Sequence, residues 1–565
     1  MDNTRNRITH YAAYIVFLIW GIACFAFFQG WYHYHFFYQE QNQLFLWSSE
    51  YLQTYFSKPA WLACMLGDFL TQFYYYLFAG PIILTLSLLL LGIACRHSLQ
   101  KAGIENHIIT TGVALVVMTV EAMFSLHYDY RLSSIFAFIG GCGIFSLSTI
   151  LLTQTRKLFK KLEKRKDSPI IIAGLSFHHW LSLFTIAICI PLCFWLFGYG
   201  VWIYAILVII GCLLNIKESA NYLRIAALVI PMFLLMLSKR CYYLSFDTLF
   251  SYPGMGEFTK PQFNLEKTFS VDDEYYFGNY NKVIKIVESE DDPNTFMKYY
   301  YNLVMAQRGS LPDKLLAYPN NYLGTFEKIG PDTPTLTIMT INELYWALGD
   351  MTLAERATIL SNVLSTDKRN IRMTKRLAEI NLVSGQTEAA KKYLRILQKT
   401  FVWKKWATER LSALESPNTT TNVMRPYIEK AQYTNKKDTL RLGDNGYTIM
   451  QELLESNPNN HVALDYLLCS DLLLKDMDTF KHDYDLYYLK QKSPRYEKLY
   501  QEALMIYLAG TNATQEEWMK YIKRTDLLQR FQQYNQQRGS SAFSDTYWYY
   551  FDRGEAPKLK QQKPL

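Results

Sequence analysis

The chain changes character near residue 240. Before that point, long runs of Leu, Ile, Phe, Ala and Tyr are broken by short polar stretches. Beyond it, apolar residues recur at helical spacing among Lys, Glu, Asp, Asn and Gln. Apolar runs of about 18 residues suit helices that cross a bilayer. Seven candidates stand at 11–30, 73–95, 108–125, 132–152, 177–198, 199–215 and 222–239. The first leads into Trp31-Tyr32-His33-Tyr34-His35, not into a small-residue cleavage site, so it predicts a span and not a removable signal. Only Gly198-Tyr199-Gly200 separates the fifth from the sixth, which predicts a tight hairpin.

The stretch between the first two spans is patterned too. Phe45, Trp47, Tyr51, Leu52, Tyr55 and Phe56 fall at near-helical spacing, and after Pro59 so do Trp61, Leu62, Met65, Leu66, Phe69 and Leu70. The pattern predicts amphipathic helices within 38–72, lying in the membrane interface where aromatic rings are favoured.

From residue 262 the pattern predicts paired amphipathic helices. Glycines follow apolar helical runs at 278, 309, 349, 385 and 510, spaced 31, 40, 36 and 125 residues apart. The clearest unit is Leu377–Gly385 followed by Glu388–Leu394, where the small Ala390 permits close helix approach. This resembles a degenerate tetratricopeptide repeat, although Lys475-Asp476 stands where one unit would carry its glycine. The expected fold is therefore all-α: a polytopic bundle of about seven spans over 1–240, a linker at 241–261, a tetratricopeptide-like α-solenoid over 262–535 and a partly disordered tail from 536 to 565.

Charge adds orientation. The net charge of +8 includes a cluster at Arg156, Lys157, Lys160, Lys161, Lys164, Arg165 and Lys166, between two spans. With Arg5, Arg7, Arg96, Lys101, Lys217 and Arg224 it falls on one side of a seven-span layout. This is the positive-inside pattern and not a nucleic-acid surface. The N-terminus is expected inside and the distal region outside. Eight of nine cysteines precede residue 242, so the distal region has no disulfide framework; Cys189 and Cys193 read as packing residues.

Candidate chemistry is sparse. The chain lacks a P-loop, a His-Glu-x-x-His, a Cys-x-x-Cys, a Gly-x-Ser-x-Gly and a dinucleotide-type glycine fingerprint, so no cofactor or metal is expected. What remains is acidic: Glu40 after the first span, Asp68 in the interfacial stretch, Glu121 near the outer end of the third span and Asp129 in the loop after it. Glu121 is ionisable within a span, which predicts either a functional group or a structural pairing with Arg131 or a tyrosine hydroxyl.

The layout resembles the membrane module of the C-superfamily (GT-C) glycosyltransferases, where a long first external loop folds into interfacial helices and carries an acidic residue. The resemblance implies a polyprenyl-phosphate-linked sugar as substrate, with Glu40 as first choice for the general base and Asp68 second. The usual acidic pair is absent, since Glu40 is followed by Gln41-Asn42-Gln43. A closer resemblance rests on the runs Glu40–Trp47, Phe69–Tyr75, Tyr301–Gly309 and Lys375–Leu382. These look like an uncharacterised family of multi-pass bacterial membrane proteins. That family implies an inner membrane location with the repeat domain in the periplasm. Two functions follow as expectations: a GT-C-like transferase acting on an envelope acceptor, or a non-enzymatic scaffold gripping an envelope protein with its solenoid.

Overall fold

The computed structural model describes residues 2–166, 171–172, 175–215, 220–238, 261–318, 333–365, 368–415, 421–436, 446–491 and 493–556. Apart from one two-residue antiparallel pairing (Ile171–Ile172 with Leu175–Ser176), every regular element among them is helical. The chain divides into two compact units, residues 1–266 with 399–404, and residues 267–398 with 405–565. Residues 241–260 of the expected linker lie outside the described residues.

The first unit contains α1 (Asp2–Trp31), α2 (Tyr34–Gln41), α3 (Ser49–Phe56), α4 (Trp61–Thr71), α5 (Ala79–Lys101), α6 (His107–Phe124), α7 (Ser133–Lys166), α8 (Phe177–Phe197), α9 (Gly200–Leu214) and α10 (Asn221–Ser238). Five stretches are long and apolar enough to cross a membrane: Tyr11–Trp31, Ala79–Lys101, His107–Phe124, Ser133–Thr155 and His179–Phe197. The other two expected spans are apolar but shorter. The 15 residues of α9 extend about 22 Å, against about 30 Å of hydrocarbon. The outward faces are apolar, with Ile15, Ile19, Leu86, Val116 and Phe184 exposed, a surface that water does not tolerate but lipid does.

Inside the bundle, close packing and a few polar ties replace a hydrophobic drive that lipid does not supply. Ser98 Oγ donates to Cys142 O at 3.0 Å, joining α5 to α7. Cys193 is fully buried in the apolar core, as a packing residue should be. The predicted hairpin is present: α8 ends at Phe197, Gly198 takes φ +52°, and α9 starts at Gly200. A Cβ on Gly200 would stand 2.2 Å from Ala137 O, and one on Gly141 would stand 2.3 Å from Gly200 O, so α7 and α9 touch backbone to backbone. Gly200→Ala is expected to destabilise the bundle by about 1–3 kcal/mol through overpacking, read as a lower Tm in detergent. Gly143→Ala, which meets open space, should leave Tm unchanged.

The second unit contains the rest of α11 (Phe263–Tyr276), then α12 (Tyr280–Glu288), α13 (Thr295–Gln307), α14 (Leu311–Lys314), α15 (Thr335–Leu348), α16 (Met351–Leu364), α17 (Ile371–Val383), α18 (Thr387–Gln398), α19 (Lys404–Glu415), α20 (Thr421–Ala431), α21 (Gly446–Ser456), α22 (His461–Leu474), α23 (Met477–Asp483), α24 (Lys498–Gly510), α25 (Gln515–Tyr521), α26 (Asp526–Gln536) and α27 (Tyr547–Arg553). Gly278, Gly309, Gly349 and Gly385 each follow a helix with positive φ, the left-handed stop that glycine allows at low cost. Gly510 does not: it is the last residue of α24, and Asn512 takes the positive φ instead. Lys475 caps α22 in the left-handed region at φ +59°, where a side chain costs roughly 1–2 kcal/mol. Its ammonium offsets that cost by donating to Phe551 O (2.9 Å) and Gly554 O (2.6 Å) at the end of α27.

Residues from 536 are the stretch expected to form a partly disordered tail. Within it, Tyr547 and Trp548 are fully buried, and Trp548 Nε1 donates to Glu502 O at 2.9 Å. The seven residues of α27 are too short a run to show a period. Residues 557–565 lie outside the described residues.

At the centre of this unit is a buried ionic network. Arg372, 2 % exposed, binds Asp272 through two N–H groups (2.7 and 3.0 Å) and Glu343 through one (3.1 Å). Arg376 donates to the other Glu343 oxygen at 2.7 Å, and Tyr300 donates to Asp272. Burial works to raise the Glu343 carboxyl, but Arg376 and Arg372 hold it below the usual range. Arg372→Met would leave the buried Asp272 carboxylate without its cation and Glu343 with Arg376 alone. It is expected to cost about 3–5 kcal/mol, measured by urea unfolding of the full chain in detergent.

Candidate functional site

The four predicted acids all lie in the first unit, and the short helix α2 is the element that relates them. Its position is set at its start. Tyr34 N–H and His35 N–H both donate to Glu266 Oε1, so a carboxylate satisfies two of the orphan donors at the helix N-terminus. His35 Nδ1 lies 3.4 Å from Glu266 Oε2, with both side chains buried. Just before α2, Tyr32 OH donates to Leu126 O at 2.9 Å and accepts from Gln262 N–H at 3.1 Å. Phe36 then packs on Tyr74, centroids 4.9 Å apart, over Gly80, where a Cβ would stand 2.7 Å from the Phe36 ring.

Glu40 falls in the last turn of α2 and is 2 % exposed. Its carboxylate accepts from the side-chain amide of Gln41. Burial pushes the Glu40 carboxyl up to about 8, with the Gln41 bond working in the opposite direction.

Asp68 is half-buried on α4 and accepts from Tyr55 OH at 2.7 Å. Tyr55 OH is 3.2 Å from Tyr51 OH, which donates to Leu44 O at 2.8 Å. Burial, then the Asp68 and Tyr51 charges, drive the Tyr55 hydroxyl far above its ordinary value, so it stays a donor. Glu121, 5 % exposed at the end of α6, accepts from Tyr130 OH. Of the two structural partners that the sequence suggests for Glu121, the tyrosine hydroxyl is the one present. Asp129 is exposed in the α6–α7 turn, its N–H donating to His127 Nδ1 at 3.3 Å.

Two amides link these sites, one on α2 and one just after it. Gln39 Nε2 donates to Tyr130 O at 3.2 Å, and Gln43 Nε2 donates to Asp68 O at 3.1 Å. Glu40 therefore sits between the Glu121–Tyr130 pair and the Asp68–Tyr55 pair. Each acid nevertheless has its own partner, and Asp129 stands on the outside. Among the described residues no three His, Cys, Asp or Glu side chains converge as a metal ion requires.

Two features escape sequence reasoning. Glu266 is separated from His35 by more than two hundred residues, and no local pattern marks it. Residues 399–404 join the first unit. Trp47 N–H donates to Lys399 O at 2.7 Å, Phe401 lies 5.6 Å from the Trp47 ring, and Trp403 lies 5.2 Å from Tyr75. The only sequence signal is the aromatic density of Phe401-Val402-Trp403 among lysines.

Fold and site together define a polytopic helical membrane protein with buried acids beside its first span. The chain belongs to the Family of unknown function (DUF6057), whose model matches residues 7–554. No curated protein matches, and no solved structure does.

A carboxyl raised in the folded state binds a proton that the unfolded chain releases. The stability it contributes is complete below the unfolded value near 4.5 and is lost as pH rises to about 8. Glu40→Gln is expected to flatten the fall in Tm across that window while leaving Tm unchanged at its acidic end. Thermal melts of both proteins against pH make the comparison.

Proposed function

We propose that this is an inner-membrane protein whose 262–535 region lies in the periplasm and binds an envelope component, with the helical bundle as its anchor. Loop charge supports the orientation. The side of the distal region is the same whether α9 and α10 both cross or neither does, because five and seven are both odd. The observation that carries a binding role over a catalytic one is the pairing of the acids. Glu40, Asp68 and Glu121 are each engaged by a separate internal partner, Gln41, Tyr55 and Tyr130.

A second reading, a GT-C-like transferase using a polyprenyl-phosphate-linked sugar, has one specific observation in its favour. Burial brings Glu40 to about 8, which matches the proton affinity of a general base working near neutral pH. The test is turnover of a defined polyprenyl-phosphate sugar by the purified full chain, wild type against Glu40→Gln. The binding role predicts no release of polyprenyl phosphate above background from either protein. Release that Glu40→Gln abolishes with a Tm no lower than that of the wild type would establish the transferase.

A further inference from the structure

Residues 399–404 join the first unit with one aromatic ring left open between two exposed lysines, Lys399 and Lys404. Phe401 is 48 % exposed and Trp47, the ring it packs on, 57 %. Their centroids are 5.6 Å apart, and Phe69 lies 5.8 Å from Phe401. Two large rings left half open in one cluster form an apolar patch of the kind that marks a contact surface.

What covers the patch follows from where it lies. Phe401 is 6.2 Å from Phe73, and Trp403 is 5.2 Å from Tyr75. Both partners stand just before α5, which is long and apolar enough to cross a membrane. Arg96, the first cation of α5, marks the opposite edge of the hydrocarbon. From Ala79 to Arg96 the helix rises about 26 Å, against about 30 Å of hydrocarbon. The near edge of the bilayer therefore falls about one turn before Ala79, at Tyr76, Leu77 and Phe78, all of them exposed. The patch is thus continuous with the lipid-facing surface of the spans. Trp31 at the end of α1 and Trp195 near the end of α8 are exposed on the same side, as in an interfacial aromatic belt. Charge fits the same partner. Lys399 pairs with Glu50 at 3.6 Å, but both side chains are exposed, and a pair of this kind is weak enough for a lipid phosphate to compete with it.

We propose that residues 399–404 form a lipid-binding anchor. Phe401 and Trp47 enter the headgroup boundary of the bilayer, and Lys399 and Lys404 take the phosphates of anionic lipids. The assignment concerns this segment and the bilayer alone, so it goes beyond the envelope-binding role above and does not depend on it.

Photo-crosslinking of the full chain in nanodiscs of equal phosphatidylglycerol and phosphatidylcholine tests it. Benzoylphenylalanine takes the place of Phe401, of Trp47 or, as a mid-span reference, of the exposed Val116, and adducts are read by mass spectrometry. Two positions in the patch keep the test decisive if one replacement prevents folding. Both are expected to give lipid adducts, with phosphatidylglycerol favoured several-fold, and the ratio should fall to about one in Lys399→Gln/Lys404→Gln. Position 116 should give lipid adducts with no such preference. Absence of lipid adducts at both patch positions, crosslinks to a second copy of the chain in their place, equal labelling of the two lipids, or a preference unchanged in the double variant would overturn the assignment.

Discussion

A charge removed from water has to be matched where it lies, and this constraint shapes both units. In the second, Arg372 of α17 has almost no contact with solvent, and two other helices supply what hydration would have supplied: Asp272 from α11 and Glu343 from α15. None of these helices can shift alone without leaving an ion uncompensated, at a cost comparable with much of a domain's net stability. In the first unit the same constraint has three different solutions. Glu266 is matched by two backbone N–H groups, Glu121 by a phenol, and Glu40 by an amide together with a raised proton affinity.

Much of the architecture was legible because its causes are local. Five spans follow from length and hydropathy, since a helix is the only way for an isolated segment to satisfy its backbone in lipid. The hairpin at Gly198-Tyr199-Gly200 was visible because a two-residue connection between apolar runs leaves little alternative. Four of the five turn glycines mark left-handed helix ends. The fifth did not, because Gly510 is the last residue of its helix and not the residue that follows it.

What stayed hidden depends on distance or on compensation. The Lys475 cap looked like a missing repeat signal, because the residue that belongs there by backbone cost is glycine. Lysine is retained where its ammonium reaches the carbonyls of α27, about eighty positions later in the chain. The acids themselves were easy to find, but their partners were not. Tyr55 and Tyr130 are ordinary aromatic residues in an aromatic-rich chain until the fold turns their hydroxyls inward.

The inclusion of residues 399–404 in the first unit has a consequence for biogenesis. Lys399 O and the Phe401 and Trp403 rings complete an aromatic cluster whose other members, Trp47, Phe69 and Tyr75, leave the ribosome hundreds of residues earlier. From residue 266 to residue 399, translation takes on the order of ten seconds. For that interval the membrane half is inserted but unfinished, with part of its aromatic surface uncovered. Completion of the first unit is therefore timed by synthesis of the second, and the membrane half matures late although it is made first.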